Sequence, residues 1–530
     1  MFETARARRG MVTSSHHLAA EAGLRVLREG GNAIEAMVAA AATISVVYPH
    51  MNGLGGDGFW LISTPGRRPP RAITAVGAAG SAVDEAFYRN QGLDEIPSRG
   101  PLAANTVAAT VSGWQMALSI SAEWGGRLPI GRLLEDAIWH AREGVPVTRG
   151  QHRFTVEKRD ELQDVPGWAG LFLADGAAPD PGDTFKQPAL ADTLQRLGQV
   201  GLDDFYRGTL GRAIAADLAR VGSPIGFEDL VAQTAQETEP LSVGLRSGTV
   251  YNVRPPSQGL AALMILGLFD RLGVEEADGY EHVHGLVEAT KLAVRIRNAN
   301  VTDPAYMGVD AADFVLDANL DARVKSVNMK KALPWPDAAA PGDTVWLGAI
   351  DSEGRAVSFI HSIYWEFGSG VVLRDTGVQW QNRGSSFTLS DDQQNYVRPG
   401  RLPFHTNNPA MALLNDGRVM VYGAMGGEGQ PQTQAAVYSR HVMFGQDLQQ
   451  AITAPRWVLG RTWGEPRVEL RVEDRFDPGV IKALRKAGHP VDMQPPLTDL
   501  MGHAGAIVLH PSGLMEGAND PRSDGAAVGY

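Results

Sequence analysis

The chain has 530 residues, of which 44% are hydrophobic and 20% are charged, as in a folded globular protein with several domains or one large layered domain. Its formal net charge of −12 argues against a nucleic-acid partner or an anionic membrane surface, because both need clustered Lys and Arg. The absence of cysteine excludes disulfides, thiolate metal sites and cysteine nucleophiles.

The N-terminal residues carry positive charge, but no apolar run follows them, so we expect no signal peptide. An apolar segment at residues 36–47 is shorter than the roughly 20 residues that span a membrane. We therefore expect a cytoplasmic protein without a membrane partner.

Helical periodicity dominates the chain up to residue 343, and strand patterns dominate after it. The predicted helices are residues 16–29, 36–47, 106–124, 131–143, 188–197, 209–221, 260–272, 281–298, 431–444, 448–454 and 478–487. The predicted strands are residues 59–63, 249–253, 345–350, 356–363, 370–373, 410–414, 419–422 and 506–509. Between the two parts, the charged and Ala/Pro-rich residues 323–341 predict an exposed linker.

Three glycines early in the chain have the spacing of a dinucleotide-binding fingerprint: Gly53, Gly55 and Gly58. That fingerprint follows a strand and opens a helix. Here a helical pattern comes before the glycines and an apolar strand comes after them. A tight turn with close backbone packing is therefore the better interpretation.

Thr344 begins a predicted strand directly after a Pro/Gly-marked loop. Residues 351–354 have turn composition, and an apolar strand follows, so the pattern predicts a β-hairpin. A threonine at the start of a strand means little by itself. Its position at the boundary between the helix-rich and strand-rich parts is the first hint of a role.

Several collinear motifs together resemble the gamma-glutamyltranspeptidase family of N-terminal nucleophile hydrolases. They are Gly10-Met11-Val12, Ser15-His16, Leu18-Ala19, Gly30-Gly31-Asn32-Ala33, Pro49-His50-Met51, Gly53 with Gly55-Gly56, Asp343-Thr344, Asp351 with Gly354 and Ala356-Val357, Phe367-Gly368-Ser369-Gly370, Gly426-Gly427, Ala454-Pro455-Arg456, and Gly517 to Gly525. Each glycine-rich piece is weak alone. Their common order along the chain makes the resemblance specific.

The resemblance implies an α+β protein, a four-layer αββα sandwich that cleaves itself before a threonine. It places the nucleophile on Thr344 and the cut between Asp343 and Thr344. The products would be a large chain, residues 1–343, and a small chain, residues 344–530, which together form one structural unit. We expect this heterodimer to dimerise further.

The chemistry explains why such a position needs a hydroxyl and then an amine. The Thr344 hydroxyl can attack the Asp343 carbonyl, and hydrolysis of the ester then frees the Thr344 α-amine. An α-amine has a pKa near ~7.7–8.0, so it can act as the base for its own hydroxyl. By the same resemblance, Ser362 supplies a second hydroxyl, and the backbone of Gly426 and Gly427 forms the oxyanion hole.

The chain departs from the family at positions that bind the substrate. The position of the family's carboxylate-binding arginine falls near the uncharged Val76, and that of its amine-binding asparagine falls on Tyr364. The predicted substrate-binding residues of this chain are Arg383, Tyr364, His405, Thr406 and Trp346. An arginine without a neighbouring acidic residue suits a small amide acid that lacks an α-amine. Among the activities that the family resemblance implies, hydrolysis of oxamate to oxalate and ammonia fits these residues best.

Two other interpretations remain open. Within the family, a gamma-glutamyl hydrolase or transferase, or a glutaryl-type acylase, could use the same nucleophile. Alternatively, the chain is an inactive family member with a binding role, although Thr344 and the paired glycines are intact. The histidines show no His-Glu-x-x-His spacing, so we predict no metal and no cofactor.

Overall fold

The computed structural model describes residues 3–335, 343–460 and 468–530, with only the backbone of Asp343 described. Within these ranges the strands are β1 (Ala5–Ala7), β2 (Met11–Ser14), β3 (Asp57–Ser63), β4 (Arg71–Ala75), β5 (Val145–Pro146), β6 (Thr184–Phe185), β7 (Gln236–Thr238), β8 (Leu241–Leu245), β9 (Gly248–Asn252), β10 (Asp343–Ile350), β11 (Ala356–Tyr364), β12 (Ala410–Leu414), β13 (Val419–Ala424), β14 (Trp457–Leu459), β15 (Leu470–Glu473), β16 (Val491–Gln494), β17 (Ala504–Leu509), β18 (Met515–Asn519) and β19 (Ala526–Gly529).

The α-helices in the same ranges are α1 (His17–Arg28), α2 (Ala33–Val47), α3 (Glu85–Arg89), α4 (Thr110–Glu123), α5 (Ile130–Leu133), α6 (Glu135–Glu143), α7 (Arg149–Leu162), α8 (Trp168–Phe172), α9 (Pro188–Val200), α10 (Thr209–Val221), α11 (Phe227–Ala232), α12 (Gly259–Arg271), α13 (Tyr280–Asn300), α14 (Asp317–Val324), α15 (Gln430–Tyr438), α16 (Leu448–Thr453) and α17 (Pro478–Ala487). Short 3₁₀ turns include Arg383–Ser386 and Gly427–Gly429, and a π-helical turn, Ser439–Met443, extends α15. No described helix is long and apolar enough to cross a membrane.

Two seven-stranded antiparallel sheets form the centre of the molecule. The first has the strand order β19-β2-β10-β11-β3-β4-β7, and the second has the order β1-β18-β17-β13-β12-β9-β8. Each sheet combines strands from before and after Thr344, so the helix-rich and strand-rich parts of the sequence are not separate domains. All strand pairs within these two sheets are antiparallel.

Helices cover the outer face of each sheet. On the first sheet, α2 is buried along its whole length and contacts β10, while α1 packs on β2. On the second sheet, α12 and α15 pack on β8 and β13, and α13 packs on α12. A cluster of apolar side chains fills the space between the two sheets. These layers confirm the predicted four-layer αββα sandwich.

Trp346 of β10 lies in this inter-sheet core. Its indole occupies space next to two glycines of the opposite sheet: a Cβ at Gly423 would lie 2.2 Å from Trp346 Cδ1, and one at Gly505 would lie 2.6 Å from Cζ3. The indole Nε1 donates a hydrogen bond to Ser358 Oγ at 2.9 Å. Packing and hydrogen bonding therefore hold the Trp346 indole between the sheets, and its role in substrate binding stays a prediction.

The early glycine-rich segment is a turn with close backbone packing, as the sequence predicts. A Cβ at Gly55 would lie 2.0 Å from the Gln379 carbonyl oxygen, and one at Gly56 would lie 2.2 Å from that of Ser362. These contacts bring the start of β3 against the end of β11. Glycine at these positions lets two backbone segments of the protein pack closely against each other.

Other element predictions were wrong in detail. Residues 370–373 form a loop with one isolated bridge, Val372 to Gln379, because Gly370 has a φ of 79° and the chain reverses at once. The predicted helix 131–143 is interrupted at Leu134, giving α5 and α6. The predicted linker begins inside α14, and its residues 336–342 lie outside the described ranges.

The packing of Trp346 gives a stability prediction. Trp346→Ala should lower the free energy of unfolding by about 3–5 kcal/mol, because the cavity left by a buried indole collapses only in part. The matched control is Trp139→Ala, since Trp139 is 58% exposed, and we expect a change within about 0.5 kcal/mol. Thermal unfolding and urea midpoints of both variants measure this. Equal stability of the two variants would contradict the assigned packing role.

Candidate active site

Thr344 lies at an irregularity in the pairing of β10 with β11. Asp343 pairs with Tyr364 and Val345 pairs with His361, so Thr344 alone faces two residues of β11, Ser362 and Ile363. Such a β-bulge changes the direction of side chains and is common next to active sites. The bulge therefore places the predicted nucleophile and the predicted second hydroxyl opposite each other.

The Thr344 hydroxyl is buried and forms hydrogen bonds with Asn407 and Gln430. It donates to Asn407 Oδ1 at 2.9 Å and accepts from Gln430 Nε2 at 3.2 Å. Gln430 Oε1 in turn accepts from Asn408 Nδ2 at 3.0 Å, which fixes the orientation of the Gln430 amide. The lone pairs and the proton of the candidate nucleophile are thus held in defined directions.

Sequence reasoning missed Asn407 and Gln430. Asn407 directly follows the predicted Thr406, and Gln430 comes three residues after the predicted Gly427. Their proximity in sequence to predicted residues was the only available signal. The contact with Thr344 itself depends on the packing of three separate segments.

The glycine pair forms the turn that leads into α15. Gly426 has φ 119° and Gly427 has φ 50°, two successive conformations that side chains disfavour. The Gly427 carbonyl accepts from Gln258 Nε2 at 2.8 Å, and Arg297 holds the other end of the Gln258 amide at 2.7 Å. Because the same turn carries Gln430, it lies beside Thr344.

Ser362 connects the bulge with the predicted substrate shell. Its hydroxyl oxygen accepts from the Tyr364 amide at 2.8 Å, and Arg383 Nη2 lies 3.4 Å from the same atom. Tyr364 has a φ of 83°, which is unusual for a bulky residue and marks local backbone strain. The structure therefore brings Ser362, Tyr364 and Arg383 together at the end of β11.

The Arg383 guanidinium is completely buried. Its central carbon lies 4.0 Å from the centre of the Tyr364 ring, and Nη1 makes a long contact of 3.5 Å with Thr406 Oγ1. Burial lowers the pKa of Arg383 to about 10, so the group stays charged at neutral pH. Among the described residues, no carboxylate lies within ion-pair distance of 4.0 Å from it.

A carboxylate nevertheless lies near this cation, which corrects the expected pocket without an anion. Asp57, at the start of β3, accepts from the Gly77 amide at 2.9 Å, and its other oxygen lies 3.2 Å from His405 Nε2. Burial raises the pKa of Asp57 to about 7, while the charge of Arg383 opposes that shift. Burial and Arg383 hold the pKa of His405 well below its usual value.

The predicted absence of a metal stays a prediction. Among the described residues, His284, Glu288 and His489 have possible ligand atoms within 4.8 Å of one another. The Lys291 ammonium donates to Glu288 at 2.7 Å, and His284 Nδ1 lies 2.8 Å from His489 Nε2. Glu288 Oε1, His284 Nδ1 and His489 Nε2 thus already have protein partners.

The chain is similar along its whole length to proteins of known family. A sequence model described as Gamma-glutamyltranspeptidase matches residues 19–530. The oxamate amidohydrolase proenzyme of Klebsiella pneumoniae subsp. pneumoniae is 53% identical over 522 residues, 98% of each chain, and the glutathione hydrolase-like YwrD proenzyme of Bacillus subtilis is 40% identical over 525 residues, 98% of each chain.

A solved structure shows the same similarity in three dimensions. The cephalosporin acylase from Bacillus halodurans superposes with a TM-score of 0.91 at 32% identity, covering 100% of this chain and 97% of that chain. The α+β sandwich is thus that of the N-terminal nucleophile hydrolases.

Proposed function

The chain belongs to the gamma-glutamyltranspeptidase family, and from that premise we propose that it is a self-processing threonine amidohydrolase that converts oxamate and water to oxalate and ammonia. As a member of this family it is a hydrolase acting on an amide C–N bond. The observation that carries the choice of substrate is the buried Arg383 guanidinium, which contacts the hydroxyl of Ser362 opposite the nucleophile.

Self-processing would use the geometry of the bulge. The Thr344 hydroxyl attacks the carbonyl carbon of Asp343, and the Asp343–Thr344 C–N bond breaks as the amine takes a proton. Water then hydrolyses the resulting ester and leaves a free Thr344 α-amine. Asn407, which accepts the hydroxyl proton in a hydrogen bond, orients the attacking oxygen in the uncut chain.

Turnover would use the same oxygen with the new amine as base. The amine takes the hydroxyl proton while the oxygen attacks the substrate amide carbon. The backbone amides of Gly426 and Gly427 stabilise the tetrahedral oxyanion, and each such donor is typically worth ~2.7–4 kcal/mol. Ammonia leaves with the transferred proton, and water then releases the acid from the threonine ester.

The short distance between the carboxylate and the amide of oxamate suits the placement of Arg383 beside Ser362. In oxamate the carboxylate carbon is bonded directly to the amide carbon. Arg383 contacts Ser362 Oγ, and Ser362 faces Thr344 across the bulge. A carboxylate held by Arg383 therefore leaves room for only a short connection to the attacked carbon. Arginine is well suited to this role because its planar fork binds a carboxylate bidentately.

One observation favours a gamma-glutamyl substrate as the second candidate. The Asp57 carboxylate lies close enough to Arg383 for its pKa to be affected, and an α-ammonium group needs such a partner. The 40% identical relative also carries the name of a glutathione hydrolase-like protein. The two candidates differ in the charge that the substrate brings beside its carboxylate.

A substrate panel separates these candidates. We expect purified, processed enzyme to release ammonia from oxamate faster than it cleaves glutathione or a glutaryl amide, because only oxamate matches a cation placed close to the nucleophile. Ammonia release and amide cleavage are measured at equal substrate concentrations. Faster cleavage of glutathione would select the second candidate, and no activity on any amide would support the inactive, binding role.

Thr344 tests self-processing. Thr344→Ala should give one uncut chain without activity, because the attacking oxygen is gone. Thr344→Ser keeps a hydroxyl and is the matched control, and we expect it to be cut into chains 1–343 and 344–530. Gel electrophoresis and the N-terminal sequence of the small chain measure both results. Two chains from the alanine variant would rule out Thr344 as the cleaving group.

Arg383 tests carboxylate binding. Arg383→Met should raise KM for oxamate by about 10- to 100-fold, since a hydrogen bond to a charged group is worth roughly 1.5–3 kcal/mol. Arg398→Met is the control, because Arg398 is exposed and stacks on the Tyr396 ring. Initial rates across a range of oxamate concentrations give both constants. An unchanged KM in the Arg383 variant would remove the guanidinium from the binding site.

A further inference from the structure

The Arg383 pocket contains a second ionisable unit that neither the nucleophile nor the oxyanion hole uses. Asp57 and His405 are both fully buried, and their closest side-chain atoms are 3.2 Å apart. The Phe59 ring meets the imidazole edge-on, with ring centres 5.2 Å apart, so one side of the histidine is apolar. Neither Asp57 Oδ2 nor His405 Nε2 has a hydrogen-bond partner among the described residues, so a proton added to either atom would lie against the other.

We propose that Asp57 and His405 form a pair that takes up one proton when a carboxylate ligand binds to Arg383. The proposal rests on the assignment of Arg383 as the carboxylate-binding residue under the proposed function. It assigns a specificity-determining role to two residues of which one, Asp57, is absent from the predicted site. The ligand class that the pair selects is a small monoanion without an ammonium group.

Charge balance in this buried pocket gives the reason for proton uptake. In the free pocket the Arg383 cation and the Asp57 anion balance each other, with His405 neutral. A bound carboxylate adds a second negative charge, and an unbalanced charge is expensive to bury, so a neighbouring group is neutralised instead. The pair can accept that proton from solvent, which leaves the complex with one cation, one ligand anion and a neutral pair.

Among the groups that face Asp57, the Asp57–His405 pair is the one that can take up the proton. The Gly77 amide donates to one oxygen at 2.9 Å, and the nearby Ala109 amide and Gln381 side chain lower the pKa of the carboxyl group. These neutral donors favour the anion in the free pocket. The ionisable groups near Asp57 include Arg383, His405 and the buried Tyr206. Burial raises the pKa of Tyr206, so its phenol stays protonated.

The direction of the pH dependence follows from the free pocket. Since the pKa of Asp57 is about 7, the pair is already protonated well below pH 7, and binding there takes up no proton. Above pH 7 the proton must come from solvent. Affinity for a monoanion should then fall by up to about tenfold for each further pH unit.

Calorimetry of the processed enzyme with glycolate tests the proposal without turnover. Titrations in two buffers of different ionisation heat at each pH give the number of protons taken up. We expect about zero at pH 5.5, about half at pH 7 and close to one at pH 8.5. Asp57→Asn should take up none at any pH. Asp524→Asn is the matched control, because its pKa is also raised by burial but it lies outside the pocket, and it should behave like the wild type.

Each outcome bears on the proposal. No proton uptake by the wild type at pH 8.5, no glycolate binding, or the same uptake in Asp57→Asn would overturn it. Glycine binding that exceeds glycolate binding and is lost in Asp57→Asn would also overturn it, because Asp57 would then be the receptor of an ammonium group. If Asp57→Asn does not fold, the wild-type series decides alone. Failure to hydrolyse oxamate overturns the proposed function, whereas the calorimetric result is independent of it.

Discussion

The pairing of β10 on both of its edges is the constraint on which the candidate site depends. β10 bonds to β2 on one side and to β11 on the other, while α2 covers one face and β17 and β13 contact the other. A strand enclosed in this way cannot shift its register without moving every side chain to the wrong face. The local exception is the bulge at Thr344, where one residue faces two. Rigid surroundings and a single irregularity together fix the direction of one hydroxyl.

The second constraint is electrostatic. Burying the Arg383 guanidinium costs free energy that hydrogen bonds of 3.4 and 3.5 Å recover only in part. Stacking on Tyr364 adds a cation–π contribution of roughly 0.5–2 kcal/mol, and the strained backbone of Tyr364 is part of that arrangement. A buried guanidinium with such long hydrogen bonds is favourably placed to bind an anion.

Much of the fold followed from local sequence patterns. Helices α10 and α17 and strand β12 have the predicted bounds, because a uniform period and clear end signals mark them. The four layers, the nucleophile and the glycine turn came from the family resemblance. The residues that were missed, Asp57, Asn407 and Gln430, act across long sequence separations, and no local pattern encodes such contacts. Trp346 was assigned to substrate binding from its position two residues after Thr344, and its indole packs between the sheets against Gly423 and Gly505.

The exchange of strands between the two parts of the chain has a kinetic consequence. β2 lies between β19 and β10, and β3 lies beside β11, so segments from before residue 343 are enclosed by segments from after residue 344. After a cut before Thr344, one part could leave only if both sheets opened along several strands at once. The two products would therefore remain associated for as long as the protein stays folded, and subunit exchange would be as slow as global unfolding. Once unfolded, two separate chains would have to find each other again, so the stability of the cut protein would depend on its concentration.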